Sequence, residues 1–265
     1  MADTAAPSPP ASQPVIRDIT SSDVWATLSA GWADFRAAPR FGIFFGAVFS
    51  ALGILIAAQM WVWESGYWVL PLMAGFPLIG PFAAVGLYEV SRRLETGEQL
   101  DWRAVIGVVY DQRHRQLPSM AFVVLFFLLV WVYLAHLVFA LSFGLQPLTN
   151  VMTSPAVFLT PPGLLMLGSG TLVGGALAAL LFAITVVGVP LLLERDLDVV
   201  TAMISSFEAV THNLRPMILW GAIVTVLTVA AMIPLFLGML VIFPVLGHAT
   251  WHLYRKTVAG PEPLT

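Results

Sequence analysis

The sequence predicts an all-α, polytopic integral membrane protein with six transmembrane helices as three hairpins, each preceded by a short amphipathic interfacial helix. Three observations carry this expectation. The chain is 58% hydrophobic and 10% charged, with a mean hydropathy of +0.87, whereas soluble domains carry about a quarter charged residues. Five apolar stretches each exceed the roughly 18 residues that mark a span. In a six-span arrangement all twelve Lys and Arg residues fall on one side of the membrane.

The apolar stretches run Phe41 to Trp63, Tyr67 to Val90, Ser119 to Phe143, Gly163 to Leu193 and Met217 to Tyr254. The last covers 38 residues, and as one helix it would reach roughly 57 Å against a hydrocarbon core of about 30 Å. A turn near Ile233 and Pro234 divides it. The expected spans are therefore about 41–63, 67–90, 119–143, 165–190, 216–232 and 235–254, within a single membrane domain from 21 to 256. Residues 1–20, with Pro7, Pro9, Pro10 and Pro14 among Ala and Ser, are too poor in apolar groups to bury a core and read as a disordered cytoplasmic tail. Residues 257–265 read as a short second tail. The N-terminus lacks a basic start followed by an apolar core, so the first span is expected to direct insertion.

Basic residues of short loops stay in the cytoplasm. With the N-terminus inside, the cytoplasmic segments hold Arg17, Arg36, Arg40, Arg92, Arg93, Arg103, Arg113, Arg115, Arg195, Arg215, Arg255 and Lys256. The far-side segments, Glu64 to Gly66 and Gly144 to Pro162, hold Glu64 as their single charge. Five spans would export Arg255 and Lys256, so both termini are placed in the cytoplasm.

Three segments outside the spans have apolar residues at helical spacing: Trp25, Leu28, Trp32 and Phe35; Trp102, Val105, Ile106 and Val109; Val200, Met203, Ile204, Phe207 and Leu214. Each ends shortly before a proline that opens a span, namely Pro39, Pro118 or Pro216. The chain thus reads as one unit used three times: interfacial helix, proline, span, return span. Interfacial helices of this kind also suit any hairpin protein. The first and third units match further at an offset of 163 residues, which superposes Pro71, Gly75, Pro81, Tyr88, Arg92 and Arg93 on Pro234, Gly238, Pro244, Trp251, Arg255 and Lys256. Both would enter from the same side, as parallel repeats about an axis near the membrane normal.

Proline inside a span removes a backbone hydrogen bond, so Pro71, Pro77 and Pro81 in span two and Pro244 in span six predict bent or broken helices, with Pro234 at the turn. Transporters build midplane sites from such breaks; packing of kinked hairpins is the alternative. Small residues recur every fourth position at Gly42, Gly46 and Ser50 and at Gly170, Gly174 and Ala178, spacing that suits close helix contact within one chain or between two. His136 lies near the middle of span three, where a neutral imidazole can bond a neighbouring carbonyl. His248 and His252 share a face of span six, at the spacing of a two-histidine metal pair. The repeat sets Glu89 opposite His252, so Glu89, His248 and His252 form a candidate polar cluster at the cytoplasmic mouth. A structural hydrogen-bond network is the competing account.

Other classes are excluded by residue type. With no cysteine there is no disulfide or thiolate site, and a net charge of −3 argues against a nucleic-acid partner. No phosphate-binding loop, nucleophile elbow or His-Glu-x-x-His occurs. The largest cytoplasmic loop has about 28 residues, too few for a catalytic domain. Neither a cofactor nor a catalytic residue is expected; the bilayer is the expected partner, with another membrane protein or complex beside it.

The runs Gly31-Trp32-Ala33-Asp34-Phe35, Gly80-Pro81-Phe82-Ala83-Ala84-Val85-Gly86-Leu87-Tyr88-Glu89, Glu194-Arg195-Asp196 and Pro244 to Arg255 resemble a family of bacterial predicted integral membrane proteins catalogued as domain of unknown function 2189. The resemblance covers Ile16 to Lys256 and implies a multi-pass protein of the bacterial inner membrane. Some members are labelled cytochrome c oxidase subunits, yet haem-copper chemistry needs histidines deep in the helices. Of five histidines here, His114 and His212 lie in cytoplasmic segments and only His136 approaches a midplane. The resulting expectation is a non-enzymatic protein serving packing, assembly or partner binding. The alternative is a small-molecule or lipid transporter using spans two and six.

Overall fold

A computed structural model describes residues 14–61, 69–144 and 155–259, with the side chains of residues 60–79 and 155 outside that description. Ten α-helices follow in order: α1 (Ser21–Ala37), α2 (Pro39–Trp61), α3 (Val69–Thr96), α4 (Trp102–Asp111), α5 (Leu117–Phe143), α6 (Pro161–Thr185), α7 (Gly188–Glu194), α8 (Val199–His212), α9 (Leu214–Met232) and α10 (Met239–Thr257). The fold of the described residues is all-α. Among the described residues, four stretches are long and apolar enough to cross a membrane: Pro39–Gln59, Leu117–Phe143, Pro161–Glu194 and Leu214–Met232. The connections expected at Glu64 to Gly66 and along most of Gly144 to Pro162 lie outside the described residues.

Local chemistry sets the helix ends. Thr20 opens α1 through a reciprocal cap, its hydroxyl accepting from the Asp23 amide and the Asp23 carboxylate accepting from the Thr20 amide. Asp198 caps α8 by accepting from the Thr201 amide at 2.9 Å. Pro39 and Pro118 occupy the first turns of α2 and α5, where a missing N–H costs nothing. Pro216 cannot donate to the His212 carbonyl, and α8 accordingly gives way to α9 at Asn213.

The prolines inside α3 and α10 do not end those helices. Both α3 and α10 run without interruption through Pro71, Pro77, Pro81 and Pro244. Pro71 lies in the first turn of α3, where its N–H would be an orphan, and the wider gaps are tolerated where neighbouring helices enclose the backbone. The break falls instead between α6 and α7, at Val186 and Val187, four residues ahead of Pro190. Ser206 of α8 bridges it, accepting from the Val187 amide at 3.1 Å and donating to the Ala183 carbonyl at 2.8 Å. The expected turn at Ile233 and Pro234 is present, with Leu235 and Phe236 both at positive φ, 51° and 64°.

Helix packing is cyclic. The amphipathic helix α1 rests mainly on α10, α4 on α3, and α8 on α6 and α7. The three return helices α3, α7 and α10 then meet one another, α3 most closely with α10. Close approach comes from small residues: a Cβ on Gly31 would lie 2.6 Å from the Val245 carbonyl oxygen and the Ala249 amide nitrogen of α10. Gly42 and Gly46 of α2 likewise face Pro244, Met239 and Leu240, while Gly174 of α6 faces Trp131 of α5. Both small-residue stripes therefore make contacts within the chain.

Helix α4 buries Val105, one of its marked apolar residues, whereas α1 and α8 bury faces offset from most of theirs. On α1 the buried stripe is Val24, Thr27, Gly31 and Phe35, while Trp25 and Trp32 are exposed. On α8 the buried stripe is Ala202, Ser205, Ser206, Ala209 and Val210, while Val200, Ile204 and Phe207 point outward. The outward apolar faces suit contact with lipid.

Within the segment expected as a tail, residues 15–19 make backbone bonds. Ile16 pairs antiparallel with Val258, the Arg17 amide donates to the Thr257 carbonyl at 2.7 Å, and the Ala259 amide donates to the Val15 carbonyl at 2.9 Å. Asn213 holds this segment from below, accepting from the Ile19 amide and donating to the Arg17 carbonyl. Backbone groups that find such partners are ordered irrespective of side-chain polarity.

Candidate functional site

The ends of α3, α7 and α10 bring together nearly all the buried charge of the described residues. Glu89 is 1% exposed, although its position one turn before the Arg92 and Arg93 pair places it at the polar end of an apolar helix. It accepts from Arg92 Nε at 2.8 Å, Arg92 Nη2 at 2.9 Å and Arg93 Nε at 2.6 Å. Arg92 continues to Glu98 at 2.8 Å. Glu89 and Glu98 hold the Arg92 guanidinium above its ordinary range, and Arg92 in turn lowers the Glu98 carboxyl. Both follow from charge-assisted hydrogen bonds that favour the ionised forms.

The histidines find other partners. His248 is fully buried, with Nδ1 2.8 Å from the Ser91 hydroxyl, while its Nε2 has no hydrogen-bond partner. His252 Nε2 sits 2.7 Å from the Asp34 carboxylate of α1. Glu89, His248 and His252 thus each engage a different group. No set of three His, Asp or Glu side chains that could hold a metal ion occurs among the described residues.

Several participants were not singled out from sequence. Glu194, which ends α7, accepts from the Tyr254 hydroxyl and from Arg255 Nη1 at 2.7 Å. Glu95 accepts from Trp251 Nε1 at 3.2 Å and from Arg255 Nε at 3.3 Å. Lys256 donates to Asp23 at 2.7 Å, and this bond together with the Thr20 cap holds the Asp23 carboxyl far below its usual range. For Glu95 and Asp23 the only sequence signal was a position one or two turns from a helix end, whereas Glu194 and Asp34 lie inside runs that resemble the family.

Beside these bonds lie two neighbouring cavities. One, of about 290 Å³, is lined by Glu89, Arg92, Asp111, Gln112, Arg115 and Leu193 among others. The second, of about 340 Å³, is lined by Arg92, Glu95, Thr96, Glu194, Trp251 and Arg255 together with Leu193. Toward the apolar side they give way to dry packing: Leu87 rests against Gly247, and Tyr88 stacks on Trp251 with ring centroids 6.3 Å apart. Tyr88 and Trp251 are the residues that the 163-residue offset superposes. His136 stands apart, its Nδ1 donating to the Val132 carbonyl of its own helix at 2.7 Å.

Searches among curated proteins and among solved structures gave no match. Residues 69–194, which run from the start of α3 to the end of α7 and supply Glu89, Arg92, Arg93 and Glu194 to this cluster, match the family described as predicted integral membrane protein, DUF2189.

Proposed function

We propose that this chain is a multi-pass protein of the bacterial inner membrane with six membrane-embedded helices in three hairpins and both termini in the cytoplasm. Its role is packing, assembly or partner binding, without catalysis of its own. The orientation rests on the one-sided distribution of the twelve basic residues, and the backbone pairing of Ile16 with Val258 agrees with it, since both ends then lie on one side. A single membrane domain from 21 to 256 is part of this reading, and the pairing of Ile16 with Val258 supports counting the flanking residues with it.

The observation that carries the functional reading is how the polar side chains are used. Glu89, Asp34, Glu95, Glu194 and Asp23 each bind a basic or hydroxyl-bearing side chain on the same or a neighbouring helix, so their charge is committed to holding helices together. What faces outward is apolar, including Trp25, Trp32, Ile204 and Phe207. Purification in mild detergent with identification of co-eluting membrane proteins tests this. A strictly monomeric particle with its own activity in vesicles would overturn it.

A second reading, transport of a small molecule or lipid, is favoured by the two polar cavities, one lined by α3, α4 and α7 and the other by α3, α7 and α10. Flux across proteoliposomes containing the purified chain alone would put transport in place of assembly.

A further inference from the structure

We infer that the turn between α9 and α10 is seated in the acyl-chain layer of the bilayer, so that this hairpin enters and leaves through the cytoplasmic face without reaching the far aqueous phase. The inference rests on the orientation proposed above and concerns a separate surface, the apolar turn from Met232 to Gly238. Its partner is the hydrocarbon of the lipid tails.

Length is the first ground. Between its start at Met239 and the buried His248, α10 has nine apolar residues, which rise only about 14 Å against a hydrocarbon core of about 30 Å. The turn therefore stands only about 14 Å beyond the buried His248. The neighbouring helix gives an independent scale. The Phe236 ring packs on Gly53 of α2, and α2 continues to Trp61, about 12 Å further at the ordinary helical rise. Helix α2 thus extends well past the turn between α9 and α10.

Composition agrees. Between Thr228 and His248 there is no charged or hydrogen-bonding side chain, nor any Trp or Tyr. The α2–α3 connection, by contrast, carries Trp63, Glu64, Ser65, Tyr67 and Trp68, the aromatic and polar residues of a membrane–water interface. Ile233 is 79% exposed and Leu235 and Leu237 more than half exposed, a surface that water would not favour. Finally, much of the turn's backbone is bonded internally: the Ile233, Phe236, Leu237 and Met239 amides donate to the carbonyls of Ala230, Met232, Pro234 and Phe236. Backbone away from water must be bonded in this way.

The absence of cysteine makes the test direct. Ile233→Cys and Ser65→Cys are made separately in the full chain and treated with a membrane-impermeant maleimide, first on intact spheroplasts and then on opened membranes. Ser65→Cys is expected to react from outside, and Ile233→Cys at least about tenfold more slowly from either side, because the reagent is confined to water. Full reaction of Ile233→Cys in denaturing detergent confirms that the thiol is competent. A fluorophore at position 233 is expected to be quenched by lipids brominated in mid-chain more strongly than one at position 65. Rapid aqueous labelling of Ile233→Cys from either side overturns the inference and leaves the orientation intact. Labelling of Ser65→Cys only after membranes are opened overturns the orientation, and the quenching comparison then decides the depth of the turn by itself.

Discussion

Helix α2 and helix α5 are both apolar enough to span a bilayer, yet they meet opposite surroundings. In the central apolar stretch of α2, 44% of residues are buried inside the protein, whereas in that of α5 none is. The difference follows the small and polar residues rather than the hydrophobic ones. α2 sets Gly42 and Gly46 against Pro244, Met239 and Leu240 of α10 and Gly53 against Phe236 of the turn before it, and the buried Ser50 lies on the same helix. α5 presents Phe122, Phe126, Leu129, Tyr133 and Leu141 outward. Where lipid is as apolar as leucine, burial of apolar area does not separate inside from outside, and close packing and hydrogen bonds do.

If packing and polar contacts set stability, the largest loss comes from the charged cluster. Glu89→Ala leaves Arg92 and Arg93 without their buried acceptor, and thermal unfolding in mild detergent is expected to reveal about 3–5 kcal/mol of destabilisation. A shift below about 1 kcal/mol would mean that solvent already shields these charges. Gly31→Leu comes next, at about 3 kcal/mol, because the added side chain meets backbone atoms of α10 that cannot rotate away. Gly175→Leu on α6, where a Cβ meets nothing within 4 Å, is the matched control and is expected to be neutral. Equal effects of these two would break the contrast between close-packed and open helix faces.

Ser206→Ala removes the bridge across the break between α6 and α7 and leaves the Val187 amide without its acceptor, costing about 1–3 kcal/mol. A smaller, pH-dependent effect belongs to Asp23. Its folded carboxyl is depressed chiefly by Lys256 and then by Thr20, so its stabilisation is present above the unfolded value near 4 and is lost as pH falls below that value. In Asp23→Asn the acid limb of a stability profile is expected to flatten, and an unchanged limb would remove Asp23 from the account. Smallest of all, Tyr133→Ala on the outward face of α5 is expected to stay within about 0.5 kcal/mol.

Much of the helical plan was legible because it depends on length and punctuation. The 38-residue final stretch required a turn, and Pro39, Pro118 and Pro216 marked where amphipathic helices give way to long ones. Pro190 marked the α6–α7 break just as clearly, but continuous apolarity on both sides hid it. The positive φ values at Leu235 and Phe236 had no signal, since neither residue is glycine and packing on Gly53 holds the ring in place.

The polar cluster was half legible. Glu89, His248 and His252 were recognisable as polar groups near helix ends, but their partners were not. The repeat sets Glu89 opposite His252 by equivalence, and equivalent positions need not touch: Glu89 turns back to the arginines of its own helix while His252 reaches Asp34, 218 residues away in sequence. Long-range pairing depends on which helices cross, and periodicity within one helix carries no record of that. The faces of α1 and α8 follow the same logic, since glycine, alanine and serine stripes mark the buried sides.

The pairing of Ile16 with Val258 bears on the order in which the protein is made. α1 leaves the ribosome first, but its main support is α10, and the Arg17 amide bonds to Thr257. At ordinary rates of synthesis roughly 10–45 s separate the emergence of the two ends. During that interval the earliest helix has Trp25 and Trp32 to anchor it at the membrane surface and no mate for Gly31. Closure of the ring is therefore the last event of biogenesis, and a chain truncated before α10 would present an unclaimed α1 to the quality-control proteases of the membrane.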